Sequence, residues 1–172
     1  DHGGYGMDGA PRKVLLEGTT LAERALVASW VRRAMPQTTD RFGRWRRQAA
    51  GGLVLDLLGA DLDARERERL FAETGLDRLR LALLLEQGRA EEAIQLLRAT
   101  SSDDLIELAD RLIAAGLDAA ARDAVRDHLA ALEPYNDRVR AWLARQGVAL
   151  APNLEALVEA IRGFQRHPTI AG

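Results

Sequence analysis

The stretch Leu84-Leu85-Glu86-Gln87-Gly88-Arg89-Ala90-Glu91-Glu92-Ala93 decides the fold when set against Leu112-Ile113-Ala114-Ala115-Gly116-Leu117-Asp118-Ala119-Ala120-Ala121. At an offset of 28 the apolar pair, the glycine and the closing alanine coincide. Gly59 precedes Gly88 by 29 residues, and Gly147 follows Gly116 by 31. A helix, a glycine turn and a second helix recurring at about thirty residues is the pattern of stacked helical hairpins. The glycine supplies a left-handed turn that other residues adopt at a cost. The small alanine lets the second helix approach its neighbour closely.

Outward from this stretch, helix punctuation continues in both directions. Thr20-Leu21-Ala22-Glu23 is a capping box, in which the hydroxyl and the carboxylate satisfy orphan amides reciprocally. The helix it opens ends at Met35, before Pro36, and its expected core face is Leu26, Val27, Trp30, Val31 and Ala34. Asp40 caps a second helix running to Leu58, with Gly59 at its end, and Phe42, Trp45, Ala49 and Leu53 form its expected core stripe. Asp63-Ala64-Arg65-Glu66 opens a third helix ending at Gly75. A fourth runs from Leu76 to Gln87, apolar on most sides and therefore expected to be central. A fifth spans Ala90 to Ala99, and Ser101 opens a sixth that Gly116 stops. Asp118 caps a seventh, with the stripe Ala121, Ala124, Val125, His128, Leu129 and Leu132. An eighth lies between Asn136 and Gln146, and a ninth follows Asn153.

Composition agrees with this reading. Ala and Leu supply 58 of the 172 residues, whereas Val and Ile together supply 13. That balance favours helices and starves any sheet of β-branched residues. The expected fold is therefore all-α, with about nine helices stacked as antiparallel hairpins into a right-handed α-solenoid. Residues 1–18 are expected to be a flexible lead-in and residues 19–172 a single helical-repeat domain. The chain begins without Met, and four of its first ten residues are Gly, so a fragment of a longer protein is expected.

Several function classes are disfavoured at once. The chain has no Cys, hence no disulfide framework, thiolate metal site or catalytic thiol. Its histidines, His2, His128 and His167, are too scattered to form a ligand pair. Gly4-Tyr5-Gly6-Met7-Asp8-Gly9 fits a dinucleotide fingerprint by letter, but no strand precedes it and Pro11 follows. The carboxylate pairs Asp103-Asp104, Glu91-Glu92 and Asp61/Asp63 stand at helix starts, where negative charge meets the positive end of the dipole. No nucleophile–base set emerges, so the expectation is no enzyme, no cofactor and no metal. No apolar run reaches the roughly eighteen residues of a membrane span. With no Cys and no export signal, a cytoplasmic location is expected.

One cluster stands out as a candidate contact surface: Arg32, Arg33, Arg41, Arg44, Arg46 and Arg47, with Phe42 and Trp45 interleaved. The chain's net charge of −2 conceals an asymmetry, because residues 12–58 carry nine cations and four anions while residues 59–172 carry fifteen and twenty. Three uses are open. The cluster can dock on the acidic remainder of the chain, serve a protein partner, or hold phosphates while a ring stacks on a base. An inward-facing aromatic stripe would favour the first two.

Gly88-Arg89-Ala90-Glu91-Glu92-Ala93-Ile94 and Leu132-Glu133-Pro134-Tyr135-Asn136 resemble tetratricopeptide repeats: the first the turn and second helix, the second the closing proline and next start. The period here is 28 to 31 residues rather than the family's 34. A further set resembles the helical region that follows the zinc-binding motif of bacterial SWIM zinc-finger proteins. It comprises Trp30 to Pro36, Asp61-Leu62-Asp63 with Phe71 to Gly75, Gly88 to Ala93, and Leu108 to Gly116. That resemblance implies the metal-free interaction half of such a protein, with any nucleic-acid role shared with the other half. The expected function is a non-catalytic interaction module that docks a protein partner or part of its parent chain. The alternative is an accessory nucleic-acid-binding domain using Arg32 to Arg47.

Overall fold

The structure is a computed structural model that describes residues 9–38, 40–131 and 136–149. Among these residues every regular element is helical: α1 (Gly9–Glu17), α2 (Leu21–Arg33), α3 (Arg41–Leu58), α4 (Ala64–Thr74), α5 (Asp77–Glu86), α6 (Ala90–Ala99), α7 (Ser102–Ala114), α8 (Asp118–Ala131) and α9 (Asp137–Arg145). The all-α class is thus as the sequence reads. Eight of these helices are the first eight expected. The remaining one, α1, falls in the stretch read as lead-in. The helix expected after Asn153 lies outside the described residues.

The caps account for the sharp starts. Thr20 Oγ1 accepts from the Glu23 N–H at 3.3 Å, while Glu23 Oε2 accepts from the Thr20 N–H at 2.8 Å. Asp63 and Glu66 repeat this box before α4. Asp40 Oδ1 accepts from the Gly43 N–H at 2.7 Å, and Asn136 Oδ1 from the Val139 N–H at 3.1 Å. Each bond satisfies an amide that the helix itself leaves orphaned.

The chain divides into two compact units, Asp1–Leu83 and Leu84–Gly172. In the first, α3 packs against α1, α2 and α4. Its core is Ala28, Val54, Leu57 and Leu70, ringed by Leu15, Leu16, Val27, Val31, Met35, Leu53 and Leu62 among others.

In the second unit α8 packs against α6, α7 and α9, and α6 also meets α7. Here the repeat is visible in the backbone. The N–H after each glycine bonds the carbonyl five residues earlier: Arg89 to Leu84, Leu117 to Leu112 and Val148 to Leu143, at 2.9 to 3.0 Å. The glycine N–H bonds the carbonyl three residues back in all three cases. This double bond is the Schellman turn, which requires a left-handed residue. Gly88, Gly116 and Gly147 provide it, with φ of 69°, 80° and 70°.

Burial follows the same register. Leu84 and Leu112, Ala93 and Ala121, and Leu97 and Val125 are all fully enclosed at the 28-residue offset. Thr100 and His128, at that offset too, are both buried polar residues, each 5% exposed. Gly59 does not belong to the series: its φ is −57°, an ordinary right-handed helical value. In the first unit the left-handed glycine is Gly75, φ 70°.

Candidate docking surface

The two helices carrying the arginine cluster are turned otherwise than the sequence stripes imply. Phe42 is 79% exposed and Trp45 52%, so the stripe Phe42, Trp45, Ala49 and Leu53 does not form the core face of α3. Only Leu53 of that set packs on the core. The buried face is instead Gly43, Gly51, Val54 and Leu57.

Close approach explains the rotation. A Cβ on Gly51 would lie 2.5 to 2.8 Å from the side-chain atoms of Thr74 on α4, and one on Gly43 would meet the Thr38 carbonyl. The helix turns two of its glycines, Gly43 and Gly51, toward what packs against it, and the aromatics go outward as a consequence. Gly43 and Gly51, eight residues apart on the face of Val54 and Leu57, were the available signal.

The same holds for α2. Ala28 is its fully buried residue, with Val27, Val31 and Met35 packed beside it. Leu26 and Trp30, expected to face the core, are 50% and 53% exposed, and Ala34 is exposed as well. Leu26, Trp30 and Arg33 follow one another at i, i+4 and i+7 on the side away from Ala28.

The six arginines divide by role. Arg32, Arg33, Arg41 and Arg46 are exposed, whereas Arg44 and Arg47 are half-buried. The Arg47 guanidinium donates to the carbonyl oxygens of Thr38 and, at 3.5 Å, Pro36, and so clamps the loop between α2 and α3. Asp40 closes the same loop, and the Gly43 N–H holds its carboxyl below the ordinary aspartate value. Arg41 and Arg46 flank the exposed stripe of Phe42, Trp45 and Ala49 on α3. The outward apolar stripe of α3 is thus edged by cations, and that of α2 runs from Glu23 at one end to Arg33 at the other.

Other candidate groups take structural positions. His128 is buried on the stripe of α8. Asp103 and Asp104 stand in the first turn of α7, Glu91 and Glu92 in that of α6, and Asp63 caps α4. His2, His167 and the first five residues of the glycine motif lie outside the described residues. Among the described residues no three His, Cys, Asp or Glu are grouped to hold a metal ion. No helix there is long and apolar enough to cross a membrane.

No family model, curated protein or solved structure matches the chain.

Proposed function

We propose that the chain is a non-catalytic interaction module whose docking surface is the outward side of α2 and α3. The observation that carries this reading is where large apolar side chains are exposed. Among the described residues they are Val14, Leu21, Leu26, Trp30, Phe42, Trp45 and Leu79, all within residues 1–83. Among the described residues of 84–149, which use the same helical vocabulary, no large apolar side chain is exposed. Exposed apolar groups gathered with polar neighbours mark interaction sites, and Trp and Arg dominate the energetics of such sites. The tetratricopeptide-like turn and packing of α6 to α9 support a helical-repeat scaffold of this general kind.

A second reading draws on Phe42 and Trp45 standing exposed beside Arg41 and Arg46. That arrangement can stack bases and hold phosphates. It is the weaker reading, because Leu26 and Leu21 have no π-face for a base. It predicts retention of single-stranded nucleic acid with an affinity that falls steeply in salt.

The test compares affinity capture by the chain with capture by the Trp30→Ser, Trp45→Ser double variant, after circular dichroism has shown both to be equally helical. Proteins retained by the first and lost from the second support docking. An unchanged set of captured proteins, or a catch consisting of nuclease-sensitive nucleic acid, overturns it.

A further inference from the structure

We infer that the ligand of this surface is an acidic amphipathic helix from a different protein. The inference rests on the docking reading above and adds the chemistry of the occupant.

Both exposed stripes combine apolar and cationic groups at helical spacing: Leu26, Trp30 and Arg33 on α2, and Phe42, Trp45 and Ala49 between Arg41 and Arg46 on α3. Each extends about two helical turns, roughly 10 Å. A partner that removes either stripe from water must offer apolar groups along a line of that length. It must also bring anions beside them, because cations buried against an uncharged partner would lose hydration without recompense. An amphipathic helix with acidic flanks meets both demands in one element.

The sequence disfavours self-association as a substitute. A second copy could offer residues 84–149, which carry eight cations and twelve anions and so have the right charge. Among the described residues of that stretch, however, no large apolar side chain is exposed. A second copy could instead offer residues 12–58, which have the apolar groups but share the charge of +5. Like charges placed across an interface oppose it. Nucleic acid supplies anions but no aliphatic counterpart for Leu26. A foreign acidic helix is the occupant that leaves neither the charge nor the apolar surface unmatched.

The experiment selects binders from an unbiased library of random peptides about sixteen residues long, enough for four helical turns. Enriched sequences are expected to carry net negative charge, with apolar residues at i, i+3 or i+4, and i+7. The best of them should bind about tenfold more weakly to the Arg41→Glu, Arg46→Glu variant, since two charge pairs become repulsive. Binding should weaken with salt, and a single-stranded oligonucleotide should not displace the peptide. Enrichment of basic or uncharged peptides overturns the inference, as does failure to enrich any, or displacement by the oligonucleotide. If Trp30→Ser with Trp45→Ser abolishes peptide binding while the arginine reversals leave it unchanged, the docking surface stands and its acidic ligand does not.

Discussion

The indole N–H of Trp142 on α9 donates to the Asp110 carboxylate on α7 at 2.7 Å, joining two helices across 32 residues of chain. Trp142 is otherwise enclosed, 1% exposed, so its ring fills the core while its one polar atom reaches the rim. Trp142→Phe should keep most of the packing and lose this charge-assisted bond, lowering stability by about 1.5 to 3 kcal/mol. Trp142→Ala should cost about 3 to 5 kcal/mol, because a cavity is added. Urea unfolding of both variants checks the order. Equal losses would mean that the hydrogen bond contributes nothing beyond the ring.

Two adjacent glycines on α3 should respond in opposite directions to the same substitution. A Cβ on Gly51 meets Thr74 atoms below 3 Å, whereas a Cβ on Gly52 has nothing within 4 Å. Gly51→Ala should therefore force α3 from α4 and destabilise by about 1 to 3 kcal/mol. Gly52→Ala should stabilise by about 0.5 to 1 kcal/mol, through the lower entropy of the unfolded chain. Melting temperatures that move together would show that the crossing is not at Gly51.

This pair also shows what the sequence could and could not reveal. Helix boundaries were legible because caps and glycines act locally: Thr20, Asp40, Asp63, Asn136 and Gly88 each do in the structure what their chemistry implies. The repeat register was legible because Gly88, Gly116 and Gly147 share a turn with one solution. The rotation of α2 and α3 was not. Both helices have two apolar faces, so periodicity alone favours the larger residues, Trp30, Phe42 and Trp45. The packing instead follows the small ones, Ala28, Gly43 and Gly51, where a neighbour comes close. That reversal exposes the aromatics beside the arginines, where periodicity alone places the rings inside.

Ala93 and Ala121 occupy equivalent, fully enclosed positions on α6 and α8. Placing Arg at either should overfill the site and strand a charge, at a cost of about 3 kcal/mol or more. Ala119 is exposed near the start of α8, and Ala119→Arg should change stability by less than about 0.5 kcal/mol. Thermal unfolding of the three variants reads this directly. A melting temperature for Ala121→Arg within a degree or so of Ala119→Arg would break the proposed equivalence.

Acid should loosen the entry to α3. Asp40 titrates below the ordinary aspartate value because its ionised carboxyl accepts the Gly43 N–H. A lowered folded pKa gives stability that is present above the unfolded value and is lost as pH falls through the folded one. Asp40→Asn keeps an acceptor at the cap without the charge. The variant should show a flatter stability profile below the unfolded aspartate pKa of about 3.9. The check is amide exchange at Gly43 and Arg44 as pH is lowered. Identical profiles in the two proteins would remove Asp40 from the acid response.

The arginine cluster should separate into a clamp and a contact surface. Arg47 holds the Pro36 and Thr38 carbonyls, so Arg47→Glu withdraws donors from two oxygens and places an anion beside them. The expected loss is about 1 to 3 kcal/mol, and salt should restore little of it, since lost hydrogen bonds are not screened charges. Arg41 and Arg46 project outward beside Phe42 and Trp45, and reversing both should change stability by less than about 1 kcal/mol. Reversing Arg46 removes only a minor influence on Asp40. Peptide binding should show the converse order: strongly weakened by Arg41→Glu with Arg46→Glu, and in Arg47→Glu reduced only as far as the loop is disturbed. The expected pattern is thus a double dissociation, with unfolding midpoints moved by Arg47 and binding midpoints moved by Arg41 and Arg46. If Arg41→Glu with Arg46→Glu unfolds the protein as readily as Arg47→Glu does, the whole cluster is structural. The docking surface would then have to be sought on α2 alone, at Leu26 and Trp30.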